Sequence, residues 1–386
     1  METAPLPAVL ILNWRDLRNP EGGGSELYAE QVASELVRRG HPVTIMCAAH
    51  AHGEAEEITP EGVRIVRKGG RHTVYAAAAW EYLRGRLGRP AIVIDVQNGL
   101  PFLARLYARV PVILLVHHVH REQWRVVLGP LAARFGWWVE SWLSPRLHRR
   151  TRYVAVSEST MTELTHLGVD SDRITIIHNG TPPPDLRPHT RAASPTLLVL
   201  GRLVPHKRVE VALRAVQTLA ADHPELKLVV AGQGWWLDPL REEADRLGIS
   251  DRVGFAGFVT EDEKQQLLAE SWVMLVPSLK EGWGLSVIEA AAHGTPAIAF
   301  RNAGGVAESV VDGETGFLAE DEEAFVVHLS HVLSDRDLRT AMGEAARAHA
   351  GRFTWDETGK RFAALIDEVV GEPVKKSDAA AAQRQN

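Results

Sequence analysis

The chain reads as an α/β protein of two domains, each built on a parallel sheet with helices on both faces. Three observations predict this. Short, continuously apolar runs recur along the chain and alternate with stretches of helical spacing, as strands buried on both faces do. The length of 386 residues is about two domains' worth. A proline-rich, aperiodic stretch at 181–195 lies midway, and the strand and helix pattern restarts after it.

Composition narrows the class. With 45% hydrophobic and 24% charged residues, the chain has the makings of a packed core and not of a disordered or fibrous protein. The one cysteine, Cys47, rules out an internal disulfide and a cysteine-built metal site, and its place on an apolar run makes it a buried thiol. No window reaches about 18 consecutive apolar residues, and the start lacks a basic segment ahead of an apolar one, so the expected place is the cytoplasm. The net charge of −6 is uneven. To Pro188 there are 22 basic against 19 acidic residues, a net +3, and after it 21 against 30, a net −9. A positive first half suits an anionic partner.

The first strand, at 8–12, runs into a loop carrying Gly22, Gly23 and Gly24, and a helix follows from Glu26 to Arg39, stopped by Gly40. Strand, glycine loop and helix make a cradle that fits phosphate, although a flexible linker has the same composition. It is neither G-x-G-x-x-G nor a P-loop, since no Lys-Ser/Thr follows the glycines. Strands are expected at 43–46, 63–66, 91–96 and 112–116, with a helix at 75–87. The strand at 112–116 delivers His117, His118 and His120 at its carboxyl end, where open α/β sheets place ligands. Those histidines act on substrate, or bind metal, or are structural; no acidic cluster supplies further metal ligands. The last strands of this half are expected at 153–157 and 174–180.

Residues 121–152 differ in kind. Trp124, Trp137, Trp138 and Trp142 stand among seven arginines, with only Glu122 and Glu140 to offset them, a local net of +5. Basic residues and indoles on helical segments suit an anionic membrane surface; a tryptophan-rich core helix with solvated arginines has the same composition. Nucleic acid is not the expected partner, given the overall negative sign and the lack of a reading motif.

The second half opens with a strand at 196–200, then Gly201 and Arg202, and Lys207 ahead of a helix at 208–220. Arg202 and Lys207 on a strand-to-helix loop can neutralise a diphosphate, or form a surface pair. Further strands are expected at 226–231, ending in Gly232-Gln233-Gly234, at 253–259, at 272–277 and at 296–300. Glu281-Gly282-Trp283-Gly284-Leu285 then leads a strand into a helix, with Glu281 at the loop entrance and Glu289 about a turn inside. Glycines that let backbone approach, a helix start that offers N–H groups and two carboxylates suit a phosphorylated polyol. A final amphipathic helix starts at Phe353 and runs to about Val370, and the tail 371–386 is expected to be disordered. Asp170-Ser171-Asp172 and Asp335-Arg336-Asp337 spell Asp-x-Asp but lie where capping and solvation explain them.

In this order the motifs resemble the retaining glycosyltransferase family 4 of the GT-B fold, actinobacterial in type, across residues 8–370. The resemblance implies two Rossmann-like domains facing a cleft: an acceptor domain at 1–188, to which the helix 353–370 crosses back, and a donor domain at 189–352. It implies that Arg202 and Lys207 hold the donor's pyrophosphate, that Glu281 contacts the transferred sugar and that Glu289 accepts from ribose hydroxyls. The Trp283, Gly284 and Leu285 backbone would meet the sugar and distal phosphate. Val259 would sit by the base, Gly201 and Gly232 in the donor loops, and Gly23 and Gly24 against phosphate or sugar from the other domain. The family's strand-end histidine falls on His117, with His118 the off-by-one alternative. Departures are Asn179-Gly180-Thr181-Pro182 where the family's Asn-Gly-Val-Asp is usual, and Trp283 and Ser286 for its Phe and Pro.

The expected reaction moves a sugar from a nucleoside diphosphate-sugar, a co-substrate, to a hydroxyl acceptor with the anomeric configuration kept. Fixed cations and N–H dipoles would take up the charge on the leaving diphosphate, with no cofactor and no metal. A cell-envelope glycan or glycolipid is the expected acceptor, a soluble metabolite the alternative, and the protein would then lie peripherally at the inner face of the membrane. A nucleotide-sugar epimerase or phosphorylase on the same fold is the rival enzyme, and a membrane scaffold the non-catalytic rival.

Overall fold

The computed structural model describes residues 5–121, 124, 129–182 and 190–371. The tail at 372–386 and the linker residues 183–189 lie outside the described residues, as do 122–123 and 125–128 of the tryptophan and arginine segment. Strands β1 (Val9–Leu12), β2 (Val43–Cys47), β3 (Glu56–Ile58), β4 (Arg64–Arg67), β5 (Ile92–Gln97), β6 (Val112–Val116), β7 (Arg152–Ala155) and β8 (Ile174–Ile176) form one sheet. Its order is 3-4-2-1-5-6-7-8. Strands β9 (Thr196–Leu200), β10 (Lys227–Ala231), β11 (Val253–Gly257), β12 (Val273–Val276), β13 (Ala297–Phe300) and β14 (Gly316–Ala319) form a second, in the order 11-10-9-12-13-14.

The interior strands are four to six residues of nearly unbroken Val, Ile and Leu, fully buried, as parallel strands covered on both faces must be. One strand departs from the parallel expectation. Glu56–Ile58 pairs antiparallel with β4 at the sheet edge, and its charged, exposed residues carry no apolar run by which to read it. Several bounds shift too. The helix expected at 75–87 is Val74–Leu83, and the strand expected to reach 180 ends at Ile176. Beyond it, Gly180 packs so close to the Thr354 and Trp355 backbone that a Cβ would sit 2.2 Å from the Trp355 nitrogen, which leaves no room for a side chain.

The final helix, Trp355–Gly371, lies against Gly24–Arg38 of the first lobe. Gly359 makes the close approach, since a Cβ there would meet Glu35 Cβ at 2.3 Å, and Tyr28 sits edge-on to both Trp355 and Phe362. Just past the linker, Arg191 inserts into the second lobe, donating to the carbonyls of Ser271 and, at 2.8 Å, Gly294. A single apolar cluster joins the first sheet's core to Trp283, Ile288 and Ala291 of the second lobe and to Ala346, Phe362 and Ile366. The lobes therefore meet through packed side chains and not only through a hinge.

Candidate active site

The strand orders reverse between β1 and β5 in the first sheet and between β9 and β12 in the second. Outside the carboxyl ends of strands at such a reversal, diverging loops leave a crevice, and open α/β sheets use it for ligands. In the second lobe, β9 ends in Gly201 and Arg202 and continues to the short turn Pro205–Lys207, while β12 ends in Pro277, Ser278 and then Glu281. One crevice is accordingly lined by Gly201, Arg202, Lys207, Ser278, Glu281 and Ser286.

Lys207 Nζ stands 2.5 Å from Glu281 Oε1, joining the loops after β9 and β12. Burial works against the Glu281 charge, but the Lys207 ammonium and the Ser278 hydroxyl more than offset it and hold the carboxyl below its usual range. His206 lies beside them; burial, helped by the Lys207 cation, pushes it down to about 4, so it is neutral at pH 7. The loop at 282–284 opens the helix Leu285–Ala292, with Gly284 at φ +87 as its cap. Val287 N–H donates to the Gly284 carbonyl at 2.9 Å, while the N–H groups of Leu285 and Ser286 ahead of it have no acceptor within the helix and face an anion readily. Glu289 lies one turn inside, paired at 2.7 Å with Lys264 Nζ. Gly201 (φ +148) and Gly232 (φ +136) serve close backbone packing, because a Cβ on Gly232 would fall 1.9 Å from the Gly201 carbonyl oxygen. Val259 packs on the second lobe's core just ahead of the helix Glu261–Glu270.

The first lobe meets this crevice with backbone. Gly23 caps Gly24–Arg38 in extended conformation, and its N–H donates to Glu26 Oε2 at 2.8 Å. A Cβ on Gly23 would lie 3.8 Å from Arg202 Nε, and one on Gly24 3.9 Å from Leu285 Cδ2. His117 is buried at the end of β6, edge-on to Tyr28 at 5.2 Å, with no hydrogen-bond partner for Nε2. Its carbonyl oxygen would be 2.4 Å from a Cβ on Gly282, so the two lobes touch at this histidine. Burial pushes its pKa down to about 3 and keeps the ring neutral. His118 instead packs on His120 at 4.1 Å. Trp283 turns its indole into the lobe junction, stacked on His178 at 4.2 Å, which leaves only its backbone for the crevice.

Several residues in or beside the site were passed over in the sequence. Arg15 lies over Trp14 at 4.4 Å and donates to Glu21 at 2.8 Å, and burial lowers its pKa, with Arg202 among the cations that add to the effect. Across the junction, Glu308 accepts from the N–H groups of Glu158 and Ser159 at 2.8 and 2.7 Å, and Lys280 pairs with Glu163. Lys264 is the fourth such residue, and Thr260 and Glu263 announce its helix with a capping box.

The tryptophan and arginine segment divides its aromatic side chains between the interior and the surface. Trp124 is turned inward, its Nε1 donating to buried Glu140 at 2.7 Å, and Trp137 packs on the core. Leu131, Phe135, Trp138 and Trp142 point out, 84%, 60%, 45% and 45% exposed. Among the decoys, Asp335 caps Arg336–Ala350 by accepting from Leu338 N–H at 2.9 Å, and Asp170 pairs with Arg173. Among the described residues no three His, Cys, Asp or Glu side chains group to hold a metal, and none of the helices is long and apolar enough to cross a membrane.

Residues 22–183 match the family described as Glycosyltransferase Family 4, and residues 187–349 that described as Glycosyl transferases group 1. The chain is 28% identical to a D-inositol 3-phosphate glycosyltransferase of Nocardia farcinica, over 92% of this chain and 87% of that one. It is also 28% identical to the GDP-mannose-dependent alpha-(1-6)-phosphatidylinositol monomannoside mannosyltransferase of Mycolicibacterium smegmatis, over 90% and 95%. Among solved structures, a sucrose-phosphate synthase from Thermosynechococcus elongatus superposes with a TM-score of 0.81 at 18% identity, covering 95% of this chain and 100% of that one, a likeness of fold. The two family matches meet between residues 183 and 187 and together take in most of the chain, which therefore belongs to the family 4 glycosyltransferases and carries the GT-B fold.

Proposed function

We propose that this glycosyltransferase takes a nucleoside diphosphate-sugar in the second lobe and passes the sugar, with retention and without a metal, to a hydroxyl acceptor on the first. The observation that carries this is the crevice itself: Arg202 and Lys207 from one side of the strand reversal face Glu281 from the other, with Gly23 of the first lobe beside Arg202. As the sugar–oxygen bond breaks, negative charge grows on the diphosphate. Arg202, Lys207 and the first N–H groups of Leu285–Ala292 stand ready to stabilise it, which costs no reorganisation at the moment of reaction. Glu281, held by Lys207, exchanges part of that contact for sugar hydroxyls, and Glu289 accepts from the ribose. His117, neutral and with an unpaired Nε2, offers a hydrogen bond and no charge to the sugar or acceptor. In this reading residues 1–188 with the helix 353–370 take the acceptor, and 189–352 take the donor. Retention is inferred from the motif set's resemblance to the retaining family.

The acceptor inference draws on the exposed stripe. Leu131, Phe135, Trp138 and Trp142 follow the 4-3-4 spacing of one helical face, and Trp138 stacks on Trp142. Exposed Arg134, Arg146, Arg149 and Arg150 lie near it in sequence, Arg146 over the Trp142 ring at 4.4 Å, while Glu140 is turned inside. Apolar side chains with cations around them fit the interface of an anionic membrane, and the acceptor is then a lipid-borne or envelope glycan met at its inner face.

The test is a thermal-shift screen of nucleoside diphosphate-sugars, followed by transfer with the best donor. A donor at a hundred times its dissociation constant adds about 2.7 kcal/mol of stability. Product with the donor's anomeric configuration by NMR supports the reading; an inverted product removes retention, and no donor shift removes the nucleotide-sugar reading.

A further inference from the structure

Glu289 has a partner that no motif announces. Its helix packs against Glu261–Glu270, and Lys264 there stands 2.7 Å from Glu289 Oε1 and 2.9 Å from Glu261 Oε2. Both members are largely withdrawn from water, with side chains 17% exposed for Lys264 and 7% for Glu289. The capping box at Thr260 fixes where this helix begins, and so places Lys264 one turn inside it. Burial pushes the Glu289 carboxyl above its usual range, and the Lys264 ammonium draws it part of the way back. Without that ammonium the carboxyl has no cation to offset its burial and takes up a proton more readily. The difference bears on ligand chemistry. An ionised carboxylate is acceptor-only, whereas a protonated one turns an O–H outward. A ribose diol brings two donors.

We propose that Lys264 is a positioning residue for nucleotide recognition, orienting the Glu289 carboxylate and keeping it an acceptor for the ribose hydroxyls of the donor. This rests on the reading of Glu289 given above. Lys264 holds Oε1, and the carboxylate's other oxygen is the one directed at the diol. The pair is thus a specificity device for ribonucleotides, distinct from the Lys207 and Glu281 pair that meets the diphosphate and sugar.

The test is calorimetric titration of UDP and GDP, and of the 2′,3′-dideoxy form of whichever binds, into wild type, Lys264→Met, Lys264→Arg and Glu289→Gln. Thermal unfolding of each variant confirms that it is folded. The expected result is a tenfold or greater loss of ribonucleotide affinity in Lys264→Met, no more than twofold loss for the dideoxy form, and near recovery in Lys264→Arg. The Lys264→Met affinity should also rise with pH as Glu289 ionises, while the wild type stays flat. Equal loss for both nucleotide forms, or no loss in a folded Lys264→Met, overturns the proposal. If Glu289→Gln binds the ribonucleotide as wild type does, the reading of Glu289 itself fails. A wild type that binds neither UDP nor GDP overturns both.

Discussion

The two lobes bring opposite things to the junction where they meet. The second lobe brings charge, with the Lys207 and Glu281 pair and the Lys264 and Glu289 pair set into loops and helices around one strand reversal. The first lobe brings glycine backbone at Gly23 and a buried neutral histidine, and carries exposed arginines on its outer face beside an apolar stripe. Buried charge is costly unless it is paired, and Lys207 and Lys264 are each held on a carboxylate. The first lobe avoids that cost by meeting the ligand with groups that need no counterion. On the reading proposed above, selectivity and leaving-group chemistry belong to one lobe, and access and acceptor delivery to the other.

The largest expected effect breaks the charged side. Lys207→Ala leaves half-buried Glu281 without its cation and, on the proposed reading, removes a contact to the diphosphate, so kcat/KM for the donor should fall by roughly 2–5 kcal/mol, on the order of 30- to several thousand-fold. Wild-type turnover in this variant would take the phosphate role away from Lys207. Next comes Gly23→Ala, which probes the neutral side. Its φ of −158° suits any residue, and the nearest atoms to the new Cβ are 3.8 Å away, so the melting temperature should not change. If the space is kept for ligand, donor turnover should still drop by about 100-fold. A variant as active as it is stable would show that the glycine only caps its helix.

Smaller effects sharpen the contrast. Trp138→Ala and Trp142→Ala each remove an exposed indole whose burial in lipid is worth roughly 1.5–3 kcal/mol, so binding to anionic vesicles should weaken about tenfold or more. Turnover of a soluble acceptor should not change, and 0.5 M salt should release the wild type, since the screening length falls to about 4 Å at that concentration. Equal binding to neutral vesicles would leave the arginines without a part. The smallest effect is an absence. His117, with a folded-state pKa near 3 against an ordinary 6.5, contributes stability that is present above 6.5 and lost as pH falls toward 3. Between pH 7 and 8.5, therefore, His117→Asn should lower activity without altering the shape of the pH profile. A profile inflection near pH 7 that vanishes in the variant would show a titrating ring.

Much of this was legible in the sequence for a definite reason. Buried parallel strands are continuous apolar runs, and ligand loops follow their carboxyl ends, so Arg202, Lys207 and Glu281 could be placed at strand ends by position alone. What stayed hidden depended on packing between distant segments. Nothing local says that Lys264 will face Glu289, 25 residues on, or that His178 will stack on Trp283. Two signals were there to be used. The Thr260 capping box locates the Lys264 helix, and the 4-3-4 spacing of Leu131, Phe135, Trp138 and Trp142 separates an outward stripe from inward Trp124 and Trp137. The edge strand Glu56–Ile58 offered none, because three residues, two of them glutamates, carry no apolar period.

The central claim is that fixed cations of the second lobe, and not a bound metal, absorb the charge released when the donor breaks. Donor turnover measured in EDTA, then with added Mg²⁺, in wild type and Lys207→Ala, tests it most directly. The account predicts a wild-type rate that ignores both additions and a Lys207→Ala rate that Mg²⁺ does not restore. A wild type that stops in EDTA and recovers with Mg²⁺ would contradict it.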